Sequence, residues 1–264
     1  MEYINLTNLN NELSSGKFLL DGNVYKNEEV ILNIKEKETV SILFSNISNN
    51  LKIHFDIKDN ANVKLSFLQT CSADFDFVGD VHSSATVTIY FADFVKGNIK
   101  VTTNINLIGE GANCYWNLAS LAKDDEKKEF DISVYQKSLR SFCEINNYGV
   151  ARDKSRLLFS GICKIEKGSH GSVAHQNSKI MVFDEESDAI AKPILKIDDN
   201  DIEASHAAVV GKISDEHMFY LTSRGLSEVE ARELITYGYL KPIINGFDDE
   251  ELSRQINYLI EGSL

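Results

Sequence analysis

From about residue 30 to residue 213 the chain alternates apolar and polar positions in short runs broken by Gly, Asn, Asp and Ser. Val63-Lys64-Leu65-Ser66-Phe67, Thr86-Val87-Thr88-Ile89-Tyr90-Phe91 and Ile99-Lys100-Val101-Thr102 show it most clearly. A period of two sends successive side chains to opposite faces, so these runs predict half-buried strands. No strong amphipathic helix interrupts them. The charged run at 123–129, Lys-Asp-Asp-Glu-Lys-Lys-Glu, reads as a solvated turn between two strands.

The strand zone carries a weak repeat. Asn60-Ala61-Asn62-Val63, Ser84-Ala85-Thr86-Val87 and Gly111-Ala112-Asn113-Cys114 each place a turn residue, then alanine, before a strand, and the alanines recur after 24 and then 27 residues. A period in the twenties suggests one coil of a solenoid, in which each coil covers the apolar face of its neighbour. A small alanine at a tight corner suits a stacked β-helix, whereas a sandwich would show turn signals every 8–12 residues or so.

After residue 213 the pattern changes to helix. Ser214 can cap a helix over 214–223, closed by Gly225. Ser227-Glu228-Val229-Glu230 has the form of a capping box, and its helix is expected to end at Gly238, shortly before Pro242. A last helix is expected from Asp249 to Glu261, with Leu252, Ile256, Leu259 and Ile260 on one face and Gly262 after it. Three helices are too few to fold alone easily, so they should dock on the strands or on a partner. The division expected is a 1–30 N-terminal segment, a 31–213 β-helix core and a 214–264 C-terminal helical region.

Composition narrows the classes. With 43% hydrophobic and 25% charged residues over 264 positions the chain can build a sizeable core, and two prolines favour long uninterrupted elements. The 27 basic and 40 acidic side chains give a net charge of −13, which disfavours binding to nucleic acid or an anionic membrane surface. No apolar run approaches a membrane span, and the start has neither a basic nor an apolar signal region, so a cytoplasmic location is expected. Cys71, Cys114, Cys143 and Cys163 are scattered without a C-x-x-C and read as reduced, mostly buried thiols.

Catalytic motifs are poor. His170, His175 and His206 are candidate metal ligands by residue type, but no H-E-x-x-H or cysteine pair supports a tetrahedral site. Gly109-Glu110-Gly111 lacks the third glycine of a dinucleotide loop, there is no P-loop, and Gly168-Ser169-His170-Gly171-Ser172 is not G-x-S-x-G. Asp184, Glu185, Glu186 and Asp188 form the densest acidic cluster and read as a solvated turn; in a β-helix enzyme acting on carbohydrate or acyl substrates they would be the carboxylates to test.

Four ordered blocks carry a resemblance. They are Ala174-His175-Gln176-Asn177; Ala191-Lys192-Pro193-Ile194-Leu195-Lys196-Ile197; Asp201-Ile202-Glu203-Ala204-Ser205-His206-Ala207-Ala208-Val209-Val210-Gly211; and Phe219-Tyr220-Leu221-Thr222-Ser223-Arg224-Gly225-Leu226-Ser227 with Glu230-Ala231-Arg232 after it. Over about 100 residues this text resembles the SufB/SufD family, the scaffold proteins of Suf iron–sulfur cluster assembly. The N-terminal half matches only in texture.

The resemblance implies a mainly β fold, a right-handed parallel β-helix followed by a short helical region. It implies a scaffold and not an enzyme, pairing through its β-helix with a SufB-like paralogue or as a homodimer. The helical region would bind the ABC-type ATPase SufC, with Tyr220, Leu221 and Arg224 as anchors. Sulfur would come from SufS with SufE or SufU. No cofactor would belong to this chain alone; a transient iron–sulfur cluster would form at a shared subunit interface.

His206 is the cluster or interface candidate and, of the three histidines, the metal-ligand candidate the resemblance singles out by setting it near that interface; a purely hydrogen-bonding role across the interface is the alternative. Ala204 stands where family members often carry cysteine, and a methyl group can neither accept persulfide sulfur nor bind iron. Ala207 stands where they carry glycine. With no long N-terminal extension visible, the chain resembles a compact SufD-like partner more than a cluster-bearing B subunit. A self-sufficient cluster carrier would need three soft ligands at one place, for example Cys143 or Cys163 beside His206.

Overall fold

The structure, a computed structural model, describes residues 3–247 and 250–261. The strands in chain order are β1 (Ile4–Asn5), β2 (Asn10–Leu13), β3 (Gly16–Asp21), β4 (Glu29–Ile34), β5 (Thr39–Ser45), β6 (Leu51–Ile57), β7 (Asn62–Gln69), β8 (Phe75–Val81), β9 (Thr86–Asp93), β10 (Ile99–Leu107), β11 (Asn113–Ala122), β12 (Lys127–Gln136), β13 (Phe142–Ala151), β14 (Arg156–Ile165), β15 (Ser172–Val182), β16 (Asp188–Ile197) and β17 (Ile202–Lys212). Odd strands form one sheet and even strands the other, in strict sequence order, and every pairing is parallel. The chain therefore passes from one sheet to the other and back once per coil, which makes it a parallel β-helix. Strands β1 to β3 lie within residues 1–30 and pair directly with the sheets, so the coil continues into that segment.

Burial alternates along the strands because one side of each sheet faces the enclosed axis. The pattern is iBiBiB in β4 and BiBiBiBiBiB in β15. Parallel pairing in register then stacks like on like. Phe44, Phe67 and Phe91 occupy one column, with ring centroids 4.1 Å and 5.2 Å apart and nearly parallel planes. Beside this stack Gly79 is obligatory, because a Cβ there would lie 2.0 Å from Cε2 of Phe55.

The alanine repeat marks one corner of the coil. Lys37, Asn60, Ser84, Gly111, Arg140 and Gly171 all take left-handed backbone angles, with φ between 51° and 70°. Their amides stack coil on coil, as in Asn60 N to Ser83 O at 2.9 Å and Ser84 N to Glu110 O at 2.8 Å. After five of these corners the next residue turns inward where only a small side chain fits, and Ala61, Ala85, Ala112, Ser141 and Ser172 are all buried there; Lys37 is followed by half-buried Glu38.

The run at 123–129 is only partly the solvated turn expected. Lys128 is wholly buried, and its Nζ lies 3.1 Å from Oδ2 of Asp93 and 2.6 Å from the Leu121 carbonyl. The alternation of β12 itself explains this, since Lys128 falls on an inward position. Its charge is matched by Asp93, itself fully buried, and by Glu126 at 3.6 Å.

Three α-helices follow: α1 (Asp215–Ser223), α2 (Glu228–Leu240) and α3 (Glu250–Glu261), with a 3-10 turn, Lys241–Gly246, between the last two. Ser214 caps α1 by accepting from the His217 amide, and Gly225 follows it at φ +97°. The Ser227–Glu230 capping box opens α2. That helix runs through Gly238 to Leu240, two residues beyond the expected end, because fully buried Leu240 holds the last turn against the sheet. The expected start of α3 at Asp249, and Gly262, lie outside the described residues. Ile256 and Ile260 are buried in α3, with Leu252 and Leu259 packed beside them.

These helices fold back along the outside of the odd-numbered sheet. Leu240, Ile243, Ile256 and Ile260 pack on Leu43, Leu68, Ala92, Ala119 and Val150, on strands β5 to β13, and Phe183 after β15 joins the same cluster. Ser66 Oγ donates to the Gly246 carbonyl at 3.0 Å, and a Cβ on Gly246 would collide with the Tyr90 ring. The tail thus covers earlier coils and leaves the last coil bare.

Candidate functional site

The last coil is the segment that most of the resemblance falls on. Strands β16 and β17 end their sheets, each with a partner on one edge only among the described residues. In β17 every side chain from Ser205 to Val210 is exposed, and Ile194, Ile197, Val209 and Val210 add apolar surface. An open strand edge carries unpaired amides and carbonyls, which natural folds cover or pair.

Register fixes where His206 points. Ala174, Gln176, Ser178 and Ile180 are the inward positions of β15, and they pair with Ala204, His206, Ala208 and Val210. Residues paired in a parallel sheet share a face, so His206 projects toward the coil axis. It is exposed because, among the described residues, no further coil covers β17. Directly beneath it Gln176 is 4% exposed, and its Oε1 is buried with no hydrogen-bond partner among the described residues. His175, one position away from Gln176, faces outward; its Nδ1 lies 2.7 Å from Ser205 Oγ. His170 sits in a corner against Asp199 at 2.9 Å.

Below this mouth the interior becomes polar. Trp116 Nε1 donates to Asn147 Oδ1 at 3.2 Å, and Asn147 Nδ2 donates to Ser178 Oγ at 3.2 Å. A second column runs Val87, Cys114, Cys143, Ala174, Ala204, so Ala204 is the open end of a line containing two thiols. Cys143 and Cys163 face each other across the axis with Sγ atoms 3.6 Å apart. Hydrogen bonding with Cys114 and Cys163, then burial, pushes the Cys143 thiol well above its usual range. Such a thiol stays protonated and is a poor metal ligand. Cys143 lies two strands away from β17, and among the described residues no three His, Cys, Asp or Glu side chains are arranged to hold a metal ion.

The other candidates lie beside the last coil. Tyr220 and Phe219 are exposed on α1, Leu221 is half-buried, and the Arg224 guanidinium lies 5.1 Å from the Tyr220 ring centroid. The acidic cluster is tied up in ion pairs: Asp184 with Arg232 at 3.0 Å, Glu186 with Lys154 at 3.0 Å, and Asp188 with Arg156 at 3.2 Å. Burial opposes ionisation of Asp184, but the Asp153 amide and Arg232 together outweigh it and hold that carboxyl below its usual range. The buried polar line through Asn147 and Ser178 is absent from the sequence reading. Its signal is a polar residue on the inward phase of the alternation, which becomes visible only once the register is known.

Residues 18–239 match the family model for the SufBD core domain of SUF-system FeS cluster assembly. The chain is 33% identical to the iron–sulfur cluster assembly protein SufD of Bacillus subtilis over 156 residues, 59% of this chain and 36% of that protein. It is 25% identical to SufD of Escherichia coli over 197 residues, 74% of this chain and 46% of the relative. A SufBD family protein of Staphylococcus saprophyticus is 28% identical over 180 residues, 65% of this chain and 39% of its own length. The chain thus spans less than half the length of these relatives. No helix among the described residues is long and apolar enough to cross a membrane. The family-model match, together with the two-sheet parallel coil that carries it, shows that the chain belongs to the SufB/SufD family of iron–sulfur cluster assembly proteins.

Proposed function

We propose that the chain is a scaffold subunit of a Suf-type assembly complex and that its last coil is the face presented to a second SufB- or SufD-like chain. The observation that carries this reading is the bare end of the β-helix: two open strand edges, four exposed aliphatic side chains and His206 at the mouth. Pairing another chain along these edges would satisfy the free backbone groups and cover the apolar surface. A transient cluster, as the cargo of the complex, would form where His206 meets ligands from the partner. His206 by itself supplies one neutral nitrogen, and Ala204 beside it supplies none, so soft ligands must come from the other chain.

In this reading α1 is the docking element for a SufC-like ATPase, with Tyr220, Leu221 and Arg224 at the contact. Large exposed aromatics backed by arginine are the residue types that dominate interface energetics. Nucleotide-driven closure of that ATPase would strain the paired scaffold and open the shared site. Sulfur delivery by SufS with SufE or SufU completes the scheme.

Co-expression with a SufC-like chain and a SufB-like chain, followed by affinity capture, is the test. Co-elution of both partners is expected. Tyr220→Ala with Arg224→Ala should lose the ATPase alone, and Val209→Lys should lose the second scaffold alone. If neither partner is retained at micromolar concentration, the reading fails.

A further inference from the structure

The buried Oε1 of Gln176 is a carbonyl-type oxygen withdrawn from water with no donor among the described residues. Such an atom is costly unless something supplies an N–H or O–H. Its in-register neighbour on the open side is His206, whose side chain shares the inward face at a strand spacing of roughly 4.8 Å. The neighbouring inward positions on β17, Ala204 and Ala208, carry only methyl groups. On β15 the inward neighbours of Gln176 are Ala174 and Ser178, and Ser178 Oγ already accepts from Asn147. The Ser178 hydroxyl keeps its own O–H, so two donors face Gln176 on this side, that hydroxyl two positions along β15 and the imidazole directly in register on β17.

We propose that Gln176 is a positioning residue for His206. One ring N–H of the neutral imidazole donates to Gln176 Oε1, its in-register neighbour on the same face. A neutral imidazole has one donor and one acceptor nitrogen, so committing the donor inward fixes the tautomer and leaves the other nitrogen's lone pair free. With one nitrogen turned down toward Gln176, the free one points out of the open end of the coil. The ring is thus presented as a base or a ligand to whatever covers the last coil. This inference rests on the reading of His206 as the functional histidine, but the hydrogen bond is a property of the isolated chain.

The test is a nitrogen–proton NMR spectrum of the full chain with isotope-labelled histidine, recorded well above the ordinary imidazole pKa range. A ring N–H of His206, assigned by its disappearance in His206→Asn, should be protected from solvent exchange and show a nuclear Overhauser contact to the Gln176 side chain. The two ring nitrogens should have widely separated shifts, as in a single tautomer. Gln176→Met and Gln176→Leu keep the volume and remove the acceptor. In either variant that folds by circular dichroism, the protected signal should vanish and the nitrogen shifts should average. A wild-type chain with no protected His206 N–H, or a variant that keeps it, overturns the proposal. Failure of partner capture with the N–H intact would instead overturn the scaffold reading and leave this bond standing.

Discussion

One interior column of the β-helix, followed along its length, contrasts the two ends of the molecule. Leu20, Phe44, Phe67, Phe91 and Leu118 fill its first part, and Asn147, Ser178 and Ala208 continue it to the open end. The backbone repeats with little change, yet the filling passes from stacked rings to hydrogen-bonded amide and hydroxyl groups. In a parallel coil each position needs only to match the positions above and below it. The dry end can therefore carry the stability while the other end carries polar groups that a hydrophobic core would not favour.

Phe67→Ala should produce the largest loss in the dry half. The ring is fully buried against Phe44, Phe75, Phe77 and Phe91, and the cavity should cost about 3–5 kcal/mol in urea unfolding. A loss below about 1 kcal/mol would mean that the stack is not what holds these coils together.

Lys128→Met probes the exception within that half. It leaves Asp93 buried and unpaired, and a cost of about 3 kcal/mol is expected. Thermal melts of the single variant beside the double change Lys128→Met with Asp93→Leu separate the orphaned charge from lost packing, because the double variant should recover much of the loss.

Asn147→Leu tests the polar half. It removes the acceptor of Trp116 and the donor to Ser178, and should cost about 1–3 kcal/mol. Trp116 is the chain's single tryptophan, so its fluorescence reports the change directly. Unaltered stability and emission would show that the line contributes nothing. On the bare coil, Val209→Lys should change unfolding free energy by no more than about 0.5 kcal/mol, since the side chain is already half in water. Any larger loss would mean that this surface is covered within the chain.

The smallest effect concerns the tail. Hydrogen bonds from the Ser227 amide and hydroxyl hold the Glu230 carboxyl below the ordinary glutamate range. A depressed folded pKa contributes stability that is present above the ordinary value and is lost as pH falls through the depressed one. Amide exchange at the start of α2 should accelerate over that acidic window, and Glu230→Gln should flatten the dependence. An exchange rate with no such pH dependence would show that the box does not hold the helix end.

Much of the local structure was legible because each strand obeys a period of two and each helix carries its own cap. The corner alanines announced the coil length, since a tight left-handed turn followed by a buried Cβ tolerates little else. Ser227 and Glu230 announced a helix start, a purely local device. Local rules misjudged Lys128, because a lysine inside a charged run resembles surface until the strand phase places it inward beside Asp93, 35 residues earlier. They also misjudged Gly238, because the tail docks on a surface built from strands far back in the chain.

His206 was picked out by the text around it, but its direction was not. Alternation alone cannot tell which face of β17 is the inside; only pairing with β15 sets His206 above Gln176 and sends His175 outward. The sequence by itself determined the coil, its strand period and the helix caps, because those depend on neighbours a few residues apart. Only the tertiary structure decided that the last coil stays bare and that a polar line leads to its mouth. The physical reason is that register and the path of the tail depend on contacts between distant coils, which no local pattern encodes.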